Sequence, residues 1–129
     1  MKIEHVAFNV PDALKAAAWY AENLGMQIVR ANSEPPYIHF LADSAGQTVL
    51  ELYSNPIAPI PDYAGIAAFT LHIAFMVEDI DAARNKLVAA GATAEGDTTL
   101  APNGDQLAFL RDPWGLTLQL AKRGKPLLG

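Results

Sequence analysis

The sequence predicts an α+β fold built from two copies of one βαβββ unit, and three observations predict it. His5-Val6-Ala7-Phe8-Asn9-Val10-Pro11-Asp12 returns as His72-Ile73-Ala74-Phe75-Met76-Val77-Glu78-Asp79, with His, Ala, Phe, Val and Asp in register. Each block runs into a helical stretch that stops at a glycine, Gly25 in the first half and Gly91 in the second. Near the end of each half stands an apolar triplet with one polar centre, Leu50-Glu51-Leu52 and Leu118-Gln119-Leu120. The offset between the halves stays constant to within a residue or so, which marks a duplication.

Ile3 to Val10 alternates, with Val6, Phe8 and Val10 on one face and Ile3, His5, Ala7 and Asn9 on the other, the pattern of a strand. Pro11-Asp12 stops it, and Asp12 is placed to cap a helix whose apolar stripe reads Leu14, Ala17, Ala21 and Leu24. Gly25 ends that helix. Met26 to Arg30, Tyr37 to Ala42 and Thr48 to Tyr53 follow as strands, completing β-α-β-β-β. Asn55 to Gly65 contains Pro56, Pro59 and Pro61, a composition suited to an extended connection. The second unit repeats the plan: a strand from Thr70 to Val77, then a helix burying Ile80, Ala83, Leu87 and Ala90. Strands near Thr93 to Glu95, at Gln106 to Arg111 and at Leu116 to Ala121 complete it, the last two joined by the turn Asp112-Pro113-Trp114-Gly115. The expected organisation is one domain over 1–129, with unit one at 1–54, a linker at 55–69, unit two at 70–121 and a tail at 122–129.

A chain of 129 residues is long enough to bury a core, and 51% hydrophobic with 18% charged residues is ordinary globular composition. The net charge of -5 and the lack of a basic stripe argue against a nucleic-acid partner. Lys122, Arg123 and Lys125 read as a solvated tail or as a site for an anionic group. With no cysteine, disulfides and thiolate ligands are excluded. No apolar run approaches the roughly 18 residues of a membrane span, and no signal peptide is visible, so a cytoplasmic location is the default expectation.

Side chains alternate along a strand, so Glu51 and Gln119 point away from the face that packs under a helix, as His5 and His72 do. If the sheets of the two units join, the four share one cavity. Two imidazoles, a carboxylate and an amide oxygen suit a divalent ion such as Zn²⁺, Ni²⁺, Co²⁺ or Mn²⁺, with water or substrate oxygens completing the shell. The bland alternative is a pair of hydrogen-bonded structural histidines. Alternation sets Tyr37, His39, Leu41, Met76, Leu107, Phe109 and Arg111 on the wall of that cavity. His39 reads either as a strand residue bonded to a neighbour or as a base, and Arg111 either as an anion anchor or as a surface ion pair.

Taken together, the His5-Val-Ala-Phe block with Asp12, Trp19-Tyr20 with Leu24-Gly25, Leu50-Glu51-Leu52, the His72-Ile-Ala-Phe block, and Asp112-Pro113-Trp114-Gly115 running into Gln119 resemble the vicinal oxygen chelate superfamily. The resemblance covers nearly the whole chain. It implies paired βαβββ units in an incomplete, cup-shaped barrel that closes either inside one chain or across a dimer, with His5, Glu51, His72 and Gln119 as metal ligands; a homodimer acting on a small molecule, with no membrane partner, is the expectation. The pattern is most similar to glyoxalase I, a lyase that isomerises a hemithioacetal through an enediolate. Asn55 stands where that enzyme has an Asn that contacts glutathione. Two positions depart from it: Gln119 replaces a Glu that serves as ligand and base, and Asn9 replaces an Arg that anchors a glutathione carboxylate. Carbon-acid chemistry would then fall to Glu51, to a metal-bound hydroxide or to His39. Losing the Arg costs glutathione about 1.5–3 kcal/mol of charge-assisted contact. The same superfamily holds two other classes to weigh, a non-catalytic ligand-sequestering protein of the bleomycin-resistance type and a fosfomycin-type thiol transferase.

Overall fold

The computed structural model describes every residue, Met1–Gly129, and the chain divides into two compact units, Met1–Pro61 and Asp62–Gly129. Unit one runs β1 (Val6–Asn9), α1 (Ala13–Leu24), β2 (Gln27–Ala31), β3 (His39–Ala42) and β4 (Val49–Tyr53). Unit two opens on a short 3-10 turn at Tyr63–Gly65, then runs β5 (Ile73–Met76), α2 (Ile80–Ala89), β6 (Thr93–Leu100), β7 (Gln106–Arg111) and β8 (Thr117–Lys122). Each unit is therefore the expected βαβββ. Its four strands form an open sheet, in the order β1-β4-β3-β2 in unit one and β5-β8-β7-β6 in unit two. No helix is long and apolar enough to cross a membrane.

The register repeats along with the topology. In unit one β1 lies parallel to β4, pairing Ala7 with Glu51; in unit two β5 lies parallel to β8, pairing Ala74 with Gln119. The first ladder begins at Val6 with Leu50 and ends at Asn9 with Tyr53, so β1 is shorter than the expected Ile3–Val10. One sheet face of unit one carries Leu41, Leu50 and Leu52, and one face of unit two carries Ala108, Leu110, Leu118 and Leu120; all are buried.

The helix over unit one differs from the expected stripe. Ala13, Ala16, Ala17 and Tyr20 are buried while Leu14 is 45% exposed. Three alanines let the helix approach the sheet closely and Tyr20 fills the space beyond them, so the buried face is turned by roughly 70° from the expected stripe, with Ala17 common to both. Its start is fixed by Asp12, which accepts from the Lys15 N–H, and by the Ser54 hydroxyl, which accepts from the Ala13 N–H and donates to the Val10 carbonyl. The left-handed Gly25, at φ 66°, ends it. In α2, Ile80 and Leu87 are buried, whereas Ala83 and Ala90 are only half-buried.

The stretch from Asp62 to Phe69 belongs to unit two, and Arg111 is one of the side chains that hold it there. The Arg111 guanidinium donates to the carbonyls of Tyr63, Ile66 and Gly115 and forms a forked ion pair with Glu95 at 2.9 Å. Arg111 is thus committed inside unit two, its side chain 14% exposed. Arg111→Met should lower unfolding free energy by about 2–4 kcal/mol, since it strands the three carbonyls as well as the carboxylate. Glu95→Gln leaves the carbonyl bonds in place and should cost less than about 1 kcal/mol. Urea titrations of the two variants check the ranking, and equal losses would contradict it.

The C-terminal cations are also partly committed. Arg123 bonds Asp105 at 2.7 Å, and with the Gly124 N–H it holds the Asp105 carboxyl below its usual range. Asp43 is lowered as well, chiefly by the backbone N–H of Gln47, in the turn that joins β3 to β4.

Candidate metal centre

In a parallel pair, residues opposite one another share a face, and so do residues two apart on one strand. His5 lies two residues before Ala7, which faces Glu51, so His5 and Glu51 stand side by side. The His5 Nε2 is 3.7 Å from the Glu51 Oε1, and the Glu51 side chain is 15% exposed. Phe40, paired with Glu51 across the antiparallel β3–β4 ladder, turns its ring edge-on to the imidazole at 5.6 Å and 83°. The His5 Nδ1 lies 2.8 Å from the Glu4 carboxylate, which only accepts, so Nδ1 carries the hydrogen and Nε2 keeps its lone pair.

Unit two repeats this arrangement from different residues. His72 lies two residues before Ala74, which faces Gln119, and Phe109 is the cross-strand partner of Gln119. The Phe109 ring meets His72 edge-on at 5.3 Å and 74°. The His72 Nδ1 donates to the Ala68 carbonyl at 2.8 Å, so Nε2 is again the nitrogen with the lone pair. Gln119 is buried, 7% exposed. Phe69 stacks edge-on against the far side of the cluster, on Phe109 at 5.4 Å.

The His5–Glu51 pair could hold a divalent ion. Two ligands of one tetrahedral zinc sit about 3.4 Å apart when each bond is near 2.1 Å, so the 3.7 Å between His5 and Glu51 needs only a small adjustment. Each imidazole has its Nδ1–H fixed by a carboxylate or a carbonyl, the arrangement that orients a metal-binding Nε2. Within either unit no three His, Asp or Glu side chains gather around one point, so each unit alone offers a pair of donors.

Other expected site residues take different places. His39 is a correction: it pairs with Leu52, is 6% exposed, and lies on the face of Leu41 rather than that of Glu51. Its Nδ1 donates to the Tyr37 carbonyl at 2.7 Å, which makes it a hydrogen-bonded core residue, and it cannot share a wall with Glu51. Leu41, fully buried, moves to the core with it, and Phe40 takes the place on the Glu51 face. Sequence reasoning missed Phe40, although Phe40-Leu41 echoes Phe109-Leu110. Asn9 shares the Glu51 face but is buried, its amide donating to the Asn55 and Ala58 carbonyls and accepting from the Asn55 N–H. It therefore pins the chain leaving β4. The Asn55 Oδ1 accepts from the Ile57 N–H in the same bend. Met76 and Phe109 do lie on the Gln119 face, Met76 81% exposed. Arg111 lies there too, engaged as described.

Comparison with known proteins gives the family. The family model described as Glyoxalase/Bleomycin resistance protein/Dioxygenase superfamily matches residues 2–120. A probable lactoylglutathione lyase of Vibrio parahaemolyticus is 31% identical, the match covering 99% of this chain and 95% of that protein. An ethylmalonyl-CoA/methylmalonyl-CoA epimerase of Cereibacter sphaeroides is 32% identical over 84% of this chain and 87% of its own length. Among solved structures, a glyoxalase family protein from Bacillus cereus superposes with a TM-score of 0.81 at 21% identity, covering 95% of this chain and 94% of that one. The duplicated βαβββ units, the repeated His and Glu or Gln register and a family match spanning almost the full chain lead to one conclusion: this protein belongs to the glyoxalase/bleomycin resistance protein/dioxygenase superfamily.

Proposed function

We propose that this chain is a divalent-metal-dependent lyase or isomerase acting on a small oxygenated substrate, with His5, Glu51, His72 and Gln119 as metal ligands. The observation that carries the reading is the repeat of one arrangement in both units: an imidazole with its Nε2 lone pair free, a neighbouring oxygen donor two residues along in register, and a phenylalanine ring edge-on to the imidazole. Structural histidines alone would have no reason to preserve the tautomer, the donor and the ring together in two copies. The names of a lyase and an epimerase among its relatives are in keeping with it.

A bound divalent ion would supply Lewis acidity, making a proton beside a substrate carbonyl easier to remove. The chain's own residues then divide the work. Glu51 is the single carboxylate among the four donors and is the group that takes the proton, since the Gln119 amide cannot accept one at neutral pH. The His5 Nε2 stands 3.7 Å from the Glu51 Oε1, so the two donor atoms are close enough to serve one ion. Phe40 and Phe109 hold the two imidazole rings in place and shield them on one side.

Metal analysis of protein purified without chelators, followed by calorimetric titration of Mn²⁺, Co²⁺, Ni²⁺ and Zn²⁺ into the stripped protein, tests the reading. One divalent ion per chain is expected, together with isomerase activity on a metal-activated α-hydroxycarbonyl such as the glutathione–methylglyoxal hemithioacetal. A stripped protein that binds none of the four ions would overturn it.

A further inference from the structure

The two units differ at one place where their copies should match. Across sheet one, the row through Glu51 reads Ala7, Glu51, Phe40 and Arg30; across sheet two, the matching row reads Ala74, Gln119, Phe109 and Glu95. Glu95 is neutralised by Arg111, but none of the chain's ion pairs includes Arg30. Its guanidinium rests instead over the Phe40 ring, 6.0 Å from the centroid.

Arg30 reaches that face because of an irregularity in β2. Ile28 pairs with Leu41 and Arg30 with Phe40, so Val29 is an extra residue in the strand. Without this bulge, strict alternation would set Arg30 on the core side with Ile28; with it, Val29 and Arg30 both turn toward Phe40. Both line a groove of about 400 Å³ together with Glu4, Phe40 and Val49. The groove is lined by two valines, a phenylalanine, the Arg30 cation that forms no ion pair, and Glu4, whose carboxylate is turned to the His5 Nδ1. Phe40 joins it to the His5–Glu51 pair, since the same ring touches His5.

We infer that this groove is a subsite for an anionic oxygen group, a carboxylate or a phosphate, at the far end of the substrate from its reacting carbon, and that Arg30 is the residue that selects it. The inference rests on the proposed function for what happens at the His5–Glu51 end. Arg30 and Glu51 are two strands apart, roughly 10 Å, so the substrate class is a compact α-hydroxy or α-oxo carbonyl compound bearing a second anion about that distance away. Val29 and Val49 favour an apolar chain between the two ends, and a guanidinium above the Phe40 ring keeps its N–H groups for a forked contact with an oxyanion.

The test is calorimetric and uses the full chain, both metal-free and loaded with Mn²⁺. The probes are α-hydroxy dicarboxylates of increasing chain length, the same compounds with the far carboxylate replaced by carboxamide, and analogues with a far phosphate monoester. Wild type should prefer the charged end by about tenfold at the best length. Arg30→Gln should lose that preference while leaving carboxamide binding unchanged, and Arg30→Lys should keep part of it. The carboxylate and phosphate arms tell which oxyanion is favoured. A charged-end preference that survives intact in Arg30→Gln, or wild type with no such preference, overturns the inference. Mn²⁺ titration without any probe reports on the metal reading separately, so a protein that binds no metal but loses anion preference in Arg30→Gln would refute the one and keep the other.

Discussion

His72→Ala should abolish tight divalent-metal binding and, with it, turnover. The loss in affinity should exceed the roughly 10–100-fold that follows from removing an outer-shell partner, because here the donor atom itself is gone. The fold should survive. His72 contributes an edge contact to Phe109 and a bond to the Ala68 carbonyl, worth together about 1–3 kcal/mol, and it is only half-buried at the start of β5. A thermal melt therefore separates a ligand from a structural histidine: the metal-free variant should melt within a few degrees of the metal-free wild type, while only wild type gains stability on adding metal. A variant that still takes up metal with wild-type affinity would remove His72 from the ligand set, and a variant that fails to fold at all would make it a structural residue of β5. Ala68 offers a milder test at the same point. Replacing it by Pro would constrain the backbone whose carbonyl orients the ring, and metal affinity should weaken within the outer-shell range.

What was legible beforehand follows from how each feature is encoded. The duplication and both His–donor pairs were readable because a parallel ladder two residues out of step puts chemically distinctive side chains at fixed places in both copies. The helix face of α1 was not, since alanine carries little pattern: Ala13, Ala16 and Ala17 pack because they are small, and Leu14 is left outside. His39 was misplaced because alternation was counted along its own strand, where nothing sets the phase. Counting from the copy instead sets His39 opposite the position of Ala108, a buried core site, and brings Phe40 to that of Phe109. Arg30 could not be found by alternation at all. A bulge reverses the phase of the strand at one residue, and no single residue type announces it.

Glu51→Gln should leave metal uptake largely intact and lower kcat by about 10²–10⁴-fold, the range that a positioned general base supplies. The substitution keeps an oxygen donor of the same length beside His5 and in register with Ala7 and Phe40, so geometry changes little; what disappears is the only carboxylate among the four proposed donors. The shared register makes a sharper experiment possible. Because Gln119 stands to Ala74 and Phe109 as Glu51 stands to Ala7 and Phe40, exchanging the two donors in Glu51→Gln with Gln119→Glu restores the carboxylate count while moving the base to the other unit. Metal affinity of the exchanged protein should return to that of wild type. Turnover, lost in Glu51→Gln, should recover in part, and measuring exchange of the α proton of an α-hydroxy ketone into solvent by NMR reads this directly. If Glu51→Gln alone exchanges the same proton at the wild-type rate, the base is some other group, and Glu51 is left with the role of a ligand.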